Sequence, residues 1–243
     1  MSDYHASMRF LIIFGFLISS VLAEKHIEAF VCLCDNEHQG IVKVGAAIGN
    51  GLDPAGNLYW GCGDGMGSYF KRSKKWKLVE TLKPKDSPVL VTLKFTHHTG
   101  KATLTAHAYR GDRMKTCLEH FFTKTREGGT DDLVAFIGHN GLMDTQIDWP
   151  ASAPKDDQRS QAIVLGCLTQ STFTNPLEEH MNSEPLLLTK SLMYPGSFLL
   201  HDAIEVWLKK GTKTQIREAA AKAYAKKQKI PVKGARTVFA ELK

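Results

Sequence analysis

The sequence predicts an α/β fold: a three-layer α/β/α sandwich built on a mostly parallel sheet. Strand-like and helix-like segments alternate from residue 102 onward, which is typical of a parallel sheet with helices on both faces. Two of the strand-like segments, 133–137 and 162–165, are short, uninterrupted apolar runs of the kind found in buried parallel strands. About 220 residues follow the first 23, enough for one domain with a substantial core.

The first 23 residues have the pattern of a cleavable secretory signal. Arg9 precedes an apolar run over 10–22, and the run ends in small residues at Ala23. We therefore expect a signal peptide over 1–23 and a single domain over 24–243. No second apolar run approaches the length of a membrane span, so we expect a secreted or periplasmic protein without an integral membrane segment after cleavage.

The first half of the domain contains three strand-like segments. The apolar run 26–35 predicts a core strand that ends at Asp35. The glycine-rich stretch 45–67 predicts a turn-rich excursion over the surface. Segments 89–95 and 102–109 are rich in Val, Leu and Thr and are separated by a short polar turn, so they predict two further strands.

The second half alternates helices with strands. Apolar residues at helical spacing predict a helix over 113–125 that buries one face. A polar connection over 144–161 separates the two apolar runs of the central sheet, and an apolar segment over 185–193 predicts another strand. Helices are predicted over 197–210 and 214–229, the second ending before a proline.

Composition and motifs argue against several classes of function. The net charge of +6 comes from scattered lysines with two denser stretches, 71–77 and 222–229. Neither stretch carries interleaved aromatics on a recognisable platform, and both are better explained as solvated faces, so we expect no nucleic-acid partner. The ten histidines show no zinc-site spacing, and we expect neither a metal nor a cofactor. A serine hydrolase is unsupported because no Gly-x-Ser-x-Gly motif is present.

All five cysteines follow the predicted signal peptide. An oxidising compartment permits disulfides, but an odd number leaves at least one thiol unpaired, and Cys167 is the candidate. Cys32 and Cys34 are two residues apart in a predicted strand, so they are expected to share one face and to pack in the core. The disulfide connectivity of Cys32, Cys34, Cys62 and Cys117 stays open.

Two reactive side chains directly follow the two apolar runs. Gly138 and His139 end the first run, and Gly166 and Cys167 end the second. Because the carboxyl ends of parallel strands meet at one edge of a sheet, a base and a thiol placed there could act together. The alternative is that the glycines are ordinary turn residues and that Cys167 is a packing residue.

This pair of strand ends resembles the caspase-like (clan CD) cysteine peptidases, a group that includes caspases, legumains, gingipains and clostripain, with legumain-type members nearest. The resemblance covers about 105–210 in the order of its elements. It implies a caspase-like fold, a peptide or protein substrate, His139 as catalytic base or acid and Cys167 as nucleophile. The backbone amide of Gly141 or Cys167 is then the candidate oxyanion donor.

The chain departs from the family pattern at two places. His139 is followed by Asn140 and Gly141 rather than directly by glycine, and the residues before Cys167 are not the Gln-Ala of the caspase signature. A non-enzymatic binding or structural protein that keeps the fold and uses the same crevice is therefore the alternative function.

Four polar residues at the same predicted sheet edge are candidates for substrate binding. Asp35 and Asn36 follow the first strand, and Arg110 and Asp112 follow the strand over 102–109. Arg110 would bind an acidic side chain, and Asp35 or Asp112 a basic one. The alternative for each of them is an exposed loop residue without a role.

Overall fold

A computed structural model describes residues 24–151, 153 and 158–242, so the predicted signal peptide over 1–23 lies outside the described residues. One seven-stranded sheet runs through the described chain, in the order β2-β3-β4-β1-β5-β6-β7. The strands, in chain order, are β1 Lys25–Cys32, β2 Trp76–Leu82, β3 Val89–His97, β4 Ala102–Tyr109, β5 Asp132–Ile137, β6 Ser160–Leu165 and β7 Ser183–Leu187.

The sheet is mostly parallel. β1 lies at its centre and pairs in parallel with β4 on one side and with β5 on the other. β6 and β7 continue the parallel array beyond β5, whereas β3 runs antiparallel to both β4 and β2. The predicted α/β class with a mostly parallel sheet is therefore confirmed.

Helices cover both faces of this sheet, as a three-layer sandwich requires. They are α1 Met66–Arg72, α2 Met114–Glu127, α3 Thr169–Asn175, α4 Ser197–Trp207, α5 Lys213–Gln228 and α6 Val232–Arg236. α2 and α3 pack on one face, and α1, α4, α5 and α6 belong to the opposite layer. In the described part of the chain, no helix is both long enough and apolar enough to cross a membrane.

Side chains of the central strands alternate between two apolar cores, one on each face. In β1, Val31 belongs to the core under α4 and α5, and Cys32 belongs to the core under α2. The strand ends at Cys32, and Cys34 lies in the core of the other face. The prediction that Cys32 and Cys34 share a face is therefore wrong, because regular alternation stops where β1 ends.

The glycine-rich stretch 45–67 is not a surface excursion. Tyr59 and Trp60 from its middle are buried in the same core as Leu33 and Cys34. The fully buried side chain of Asn57 donates a 2.8 Å hydrogen bond to the Cys34 carbonyl and accepts one of 3.0 Å from the Cys34 amide. Glycines allow this irregular chain to lie close to the sheet, while the aromatic pair supplies the buried apolar area.

At the two edges of the sheet, the structure has one strand that was not predicted and one that is shorter than predicted. β2 is an edge strand whose side chains are mostly exposed. Its first two residues belong to the lysine-rich stretch 71–77, so the sequence lacks the apolar run of a buried strand here. The strand predicted over 185–193 ends at Leu187, and beyond it only Thr189 forms a single bridge, to Phe239. Residues 191–193 turn instead towards the loop after β6.

Candidate functional site

His139 and Cys167 leave adjacent parallel strands at the same edge of the sheet. The register of β5 and β6 pairs Ile137 with Leu165, and the Gly138 amide extends it with a 3.0 Å hydrogen bond to the Leu165 carbonyl. His139 lies two residues after Ile137, and Cys167 lies two residues after Leu165. The structure thus brings together the two strand ends that the sequence singled out.

Gly138 gives the chain the turn that carries His139 out of the strand. Its φ of +142° is a conformation that residues with a side chain rarely adopt. A Cβ at this position would lie 3.3 Å from the Cδ2 atom of Tyr59, because the Tyr59 ring packs against the glycine. The glycine and the buried aromatic ring together determine where the His139 loop begins.

Asp144 is the partner of the His139 ring, although its place at the start of the polar connection over 144–161 does not indicate this role. The Nε2 atom of His139 lies 2.5 Å from Oδ2 of Asp144. The 3₁₀ turn Gly141–Met143 folds the chain back so that the carboxylate reaches the ring from five residues away. The His139 side chain is 8% exposed, whereas that of Asp144 is 35% exposed.

The loop after β1 holds this carboxylate in place. The Gly40 amide donates a 2.9 Å hydrogen bond to Oδ2 of Asp144, and a Cβ at Gly40 would lie only 2.6 Å from Oδ1. Burial raises the pKa of Asp144, but the Gly40 amide and the hydrogen bond and charge of His139 outweigh it and hold that pKa below its ordinary value. Asp144 is therefore ionised at neutral pH and orients the imidazole.

Asn140 joins the His139 loop to the Cys167 loop. Its Nδ2 atom donates a 2.7 Å hydrogen bond to the Cys167 carbonyl and a 3.0 Å bond to Oγ1 of Thr172. The side chain is fully buried, and its Oδ1 atom has no hydrogen-bond partner among the described residues. This link fixes the two loops relative to each other, and the residue that makes this link directly follows His139.

The Cys167 thiol is half-buried and donates to the Met193 carbonyl, with Sγ 3.7 Å from the oxygen. His139 and Cys167 are not hydrogen-bonded to each other in this structure, since each of the two side chains has a different partner. A thiol donates only weakly, so rotation of Cys167 away from Met193 costs little. The two side chains therefore leave the same sheet edge without a hydrogen bond between them.

The other thiols differ from Cys167 in their surroundings, and all five cysteines are free. Burial raises the pKa of Cys34 to about 11 in spite of its hydrogen bond with Tyr59. Burial also raises the pKa of Cys117 well above its ordinary value, in contact with Cys32. Cys62 is half-buried like Cys167, and its thiol donates to the Gly56 carbonyl at 3.3 Å.

The two candidate oxyanion donors lie close to these strand ends. Gly141 is buried at the start of the 3₁₀ turn, where a Cβ would collide with the side chain of Met114 on α2. Neither the Gly141 amide nor the Cys167 amide donates a hydrogen bond to another described residue. Both N–H groups therefore lack an acceptor within the described part of the chain, as an oxyanion donor requires.

The four predicted substrate-binding residues line one cavity of about 600 Å³ at the ends of β1 and β4. The buried Asp35 carboxylate is occupied locally: Oδ1 accepts from the amides of Glu37 and His38, and Oδ2 lies 3.0 Å from Nδ1 of His38. Asn36 is occupied as well, because its amide group both donates to and accepts from the backbone of Val44, at 2.8 and 2.9 Å.

Arg110 and Asp112 neutralise each other in the same cavity. The guanidinium Nε and Nη2 atoms each donate a 3.0 Å hydrogen bond to the Asp112 carboxylate. This hydrogen bond from Arg110 holds the pKa of Asp112 below its ordinary value, although burial opposes it. The structure brings the predicted residues together, but their charges are already paired within the protein.

Nothing in the described ranges provides a metal centre: no three or more His, Cys, Asp or Glu side chains are arranged to hold an ion.

No protein-family model matches the chain, and searches of curated proteins and of solved structures find no match either. The function is therefore inferred from the geometry of the strand ends.

Proposed function

We propose that this protein is an exported cysteine peptidase in which Cys167 attacks the peptide carbonyl and His139 transfers the proton. The observation that carries the proposal is the hydrogen-bonded pair of Asp144 and His139, placed at the end of the strand next to the one that ends at Cys167. An ionised carboxylate that holds an imidazole beside a nucleophile is the arrangement of hydrolytic triads. The two adjacent strand ends, His139 after β5 and Cys167 after β6, are the features on which we propose a divergent member of the caspase-like peptidases.

The hydrogen bond to Asp144 determines which nitrogen of His139 does the chemistry. Because Nε2 carries the proton that is donated to Asp144, Nδ1 has the free lone pair and acts as the base. The Cys167 thiol would turn from the Met193 carbonyl to Nδ1 and transfer its proton there. The imidazolium that forms is stabilised by the Asp144 carboxylate.

The thiolate would then form an S–C bond with the substrate carbonyl carbon. The carbonyl π electrons move to the oxygen, and the free Cys167 and Gly141 amides are the groups available to stabilise that oxyanion. Nδ1 of His139 returns the proton to the leaving amine as the C–N bond breaks. A water molecule, deprotonated by the same nitrogen, then hydrolyses the acyl thioester and regenerates the thiol.

A peptide library tests this proposal. The purified protein is incubated with a mixture of thousands of peptides, and new amino termini are counted by mass spectrometry. We expect wild type to cleave, Cys167→Ala to show no cleavage, and His139→Ala to lose about 10²–10⁴-fold in rate, the range for loss of a general acid–base group. Cys62→Ala is the matched control and should cleave like wild type, because its half-buried thiol lies outside the proposed machinery.

The alternative is a binding protein that uses the same crevice without catalysis. One observation favours it, namely that the His139 ring and the Cys167 thiol have separate hydrogen-bond partners. The same library separates the two functions. Equal cleavage by wild type and Cys167→Ala, or no cleavage by wild type, would refute the peptidase and leave the binding protein.

A further inference from the structure

Exposed apolar side chains flank the candidate site on both sides. Val42 is 92% exposed, Met143 is 54% exposed and Leu192 is 73% exposed. Isolated exposed apolar residues are ordinary, but several around one crevice are typical of a binding surface. These three residues are called the apolar rim below.

Hydrogen bonds place two of the rim residues on the His139 side. Met143 directly precedes Asp144, the partner of the His139 ring. Val42 belongs to the loop after β1, which reaches Asp144 through the Gly40 amide and is closed by the bonds between Asn36 and Val44. Both apolar side chains are therefore carried by the two loops that meet at the Asp144 carboxylate.

The third rim residue lies on the Cys167 side. Leu192 stands between Ser191, whose carbonyl accepts a 3.2 Å hydrogen bond from the Leu168 amide, and Met193, whose carbonyl accepts the Cys167 thiol. The segment around Leu192 is thus tied to the nucleophile loop at two points. The rim has apolar groups on both sides of the place where a scissile bond would lie.

The charged residues predicted to bind substrate in the neighbouring cavity are already paired within the protein. Arg110 is paired with Asp112 by two hydrogen bonds, and the Asp35 carboxylate is bonded by His38 and two backbone amides, whereas Glu37 at the cavity wall is exposed. To bind at Arg110, Asp112 or Asp35, a charged substrate side chain would have to displace one of these internal partners. An apolar side chain only has to cover exposed apolar surface, which is favourable.

We infer that the site takes an extended peptide segment with bulky apolar side chains on both sides of the attacked bond. This inference rests on the proposed function, because it identifies the rim ligand as the substrate. Apolar side chains of the segment would cover Leu192 on one side and Val42 and Met143 on the other.

A pair of thiol reagents tests the inference. The rate of alkylation of Cys167 is measured with iodoacetamide and with N-hexyliodoacetamide in a Cys62→Ser background, and each rate is divided by that of free N-acetylcysteine. We expect the hexyl reagent to be favoured by about tenfold, roughly the gain for burying two methylene groups. Val42→Lys, Met143→Lys and Leu192→Lys should each reduce this preference. The matched control Val79→Lys should not, since Val79 is 55% exposed on the edge strand β2.

The outcomes separate this inference from the proposed function. No hexyl preference in wild type, or an equal loss in Val79→Lys, would refute the apolar rim. A preference abolished by the rim variants but not by the control would support it. Plain iodoacetamide reports on the dyad independently: a rate no faster than that of N-acetylcysteine and unaffected by His139→Ala would refute the peptidase, and a surviving hexyl preference would then mean that the segment is bound without being cleaved.

Discussion

Replacing Gly138 by alanine should destabilise the protein more than the same replacement at Gly100 or Gly63. The φ of +142° is strained for a residue with a side chain, and such strain costs about 1–3 kcal/mol. The added Cβ would also lie 3.3 Å from the Tyr59 ring and 3.5 Å from the Cys32 carbonyl oxygen, so the buried ring must shift. We expect a loss of about 3 kcal/mol, which for a domain of this size lowers Tm by roughly 6–12 °C.

Thermal and urea unfolding of Gly138→Ala against two controls measures this effect. Gly100 has a φ of +69° with no atom near its would-be Cβ, so Gly100→Ala reports backbone strain alone, about 1–2 kcal/mol. Gly63 has open space around it and no positive φ, so Gly63→Ala should be close to neutral. The expected order of destabilisation is Gly138, Gly100, Gly63. A Gly138→Ala protein as stable as Gly63→Ala would refute the role assigned to this turn.

Two further predictions concern titratable groups. Burial raises the pKa of Glu28, but its hydrogen bond with His107 and the charge of Lys124 outweigh it, so the folded-state pKa lies below the unfolded value. The ionised Glu28 therefore stabilises the fold above its unfolded-state pKa, and this stabilisation is lost as the pH falls through its folded-state pKa. In urea unfolding, Glu28→Gln should accordingly lose less stability than wild type between pH 7 and pH 3. Limited alkylation of the native protein at pH 7, read by peptide mass mapping, should modify the half-buried Cys62 and Cys167. It should spare the three buried thiols, Cys32, Cys34 and Cys117. Modification of Cys34 before Cys167 would contradict this difference in burial.

Two central strands of the sheet, β5 and β6, could be predicted because side chains on both of their faces are buried, so each strand contains an uninterrupted apolar run. Both apolar runs are covered on both faces, so composition alone identifies them, and β3 and β4 show the residue types of paired strands. β2 could not be predicted in the same way, since an edge strand needs few apolar residues and its partner is supplied by β3.

The site could be predicted only in part. The positions of His139 and Cys167 follow from where two buried strands end, a local property of the sequence. The contact of Asp144 with His139 depends on a short 3₁₀ turn and on the Gly40 amide, which is distant in sequence, so residue types alone do not establish it. An acidic residue a few positions after a strand-end histidine is the signal that could have identified it. The pairing of Arg110 with Asp112 likewise depends on side-chain geometry that residue types alone do not determine.

A double-mutant cycle on the reactivity of Cys167 tests directly whether Asp144 and His139 together activate its thiol. Iodoacetamide alkylation of Cys167 at pH 7 is followed in a Cys62→Ser background for the parent, His139→Ala, Asp144→Asn and the double variant. If Asp144 acts through His139, the parent reacts faster than N-acetylcysteine, both single variants are slower than the parent, and the double variant is no slower than His139→Ala. A parent no more reactive than N-acetylcysteine, or losses that multiply in the double variant, would contradict the account.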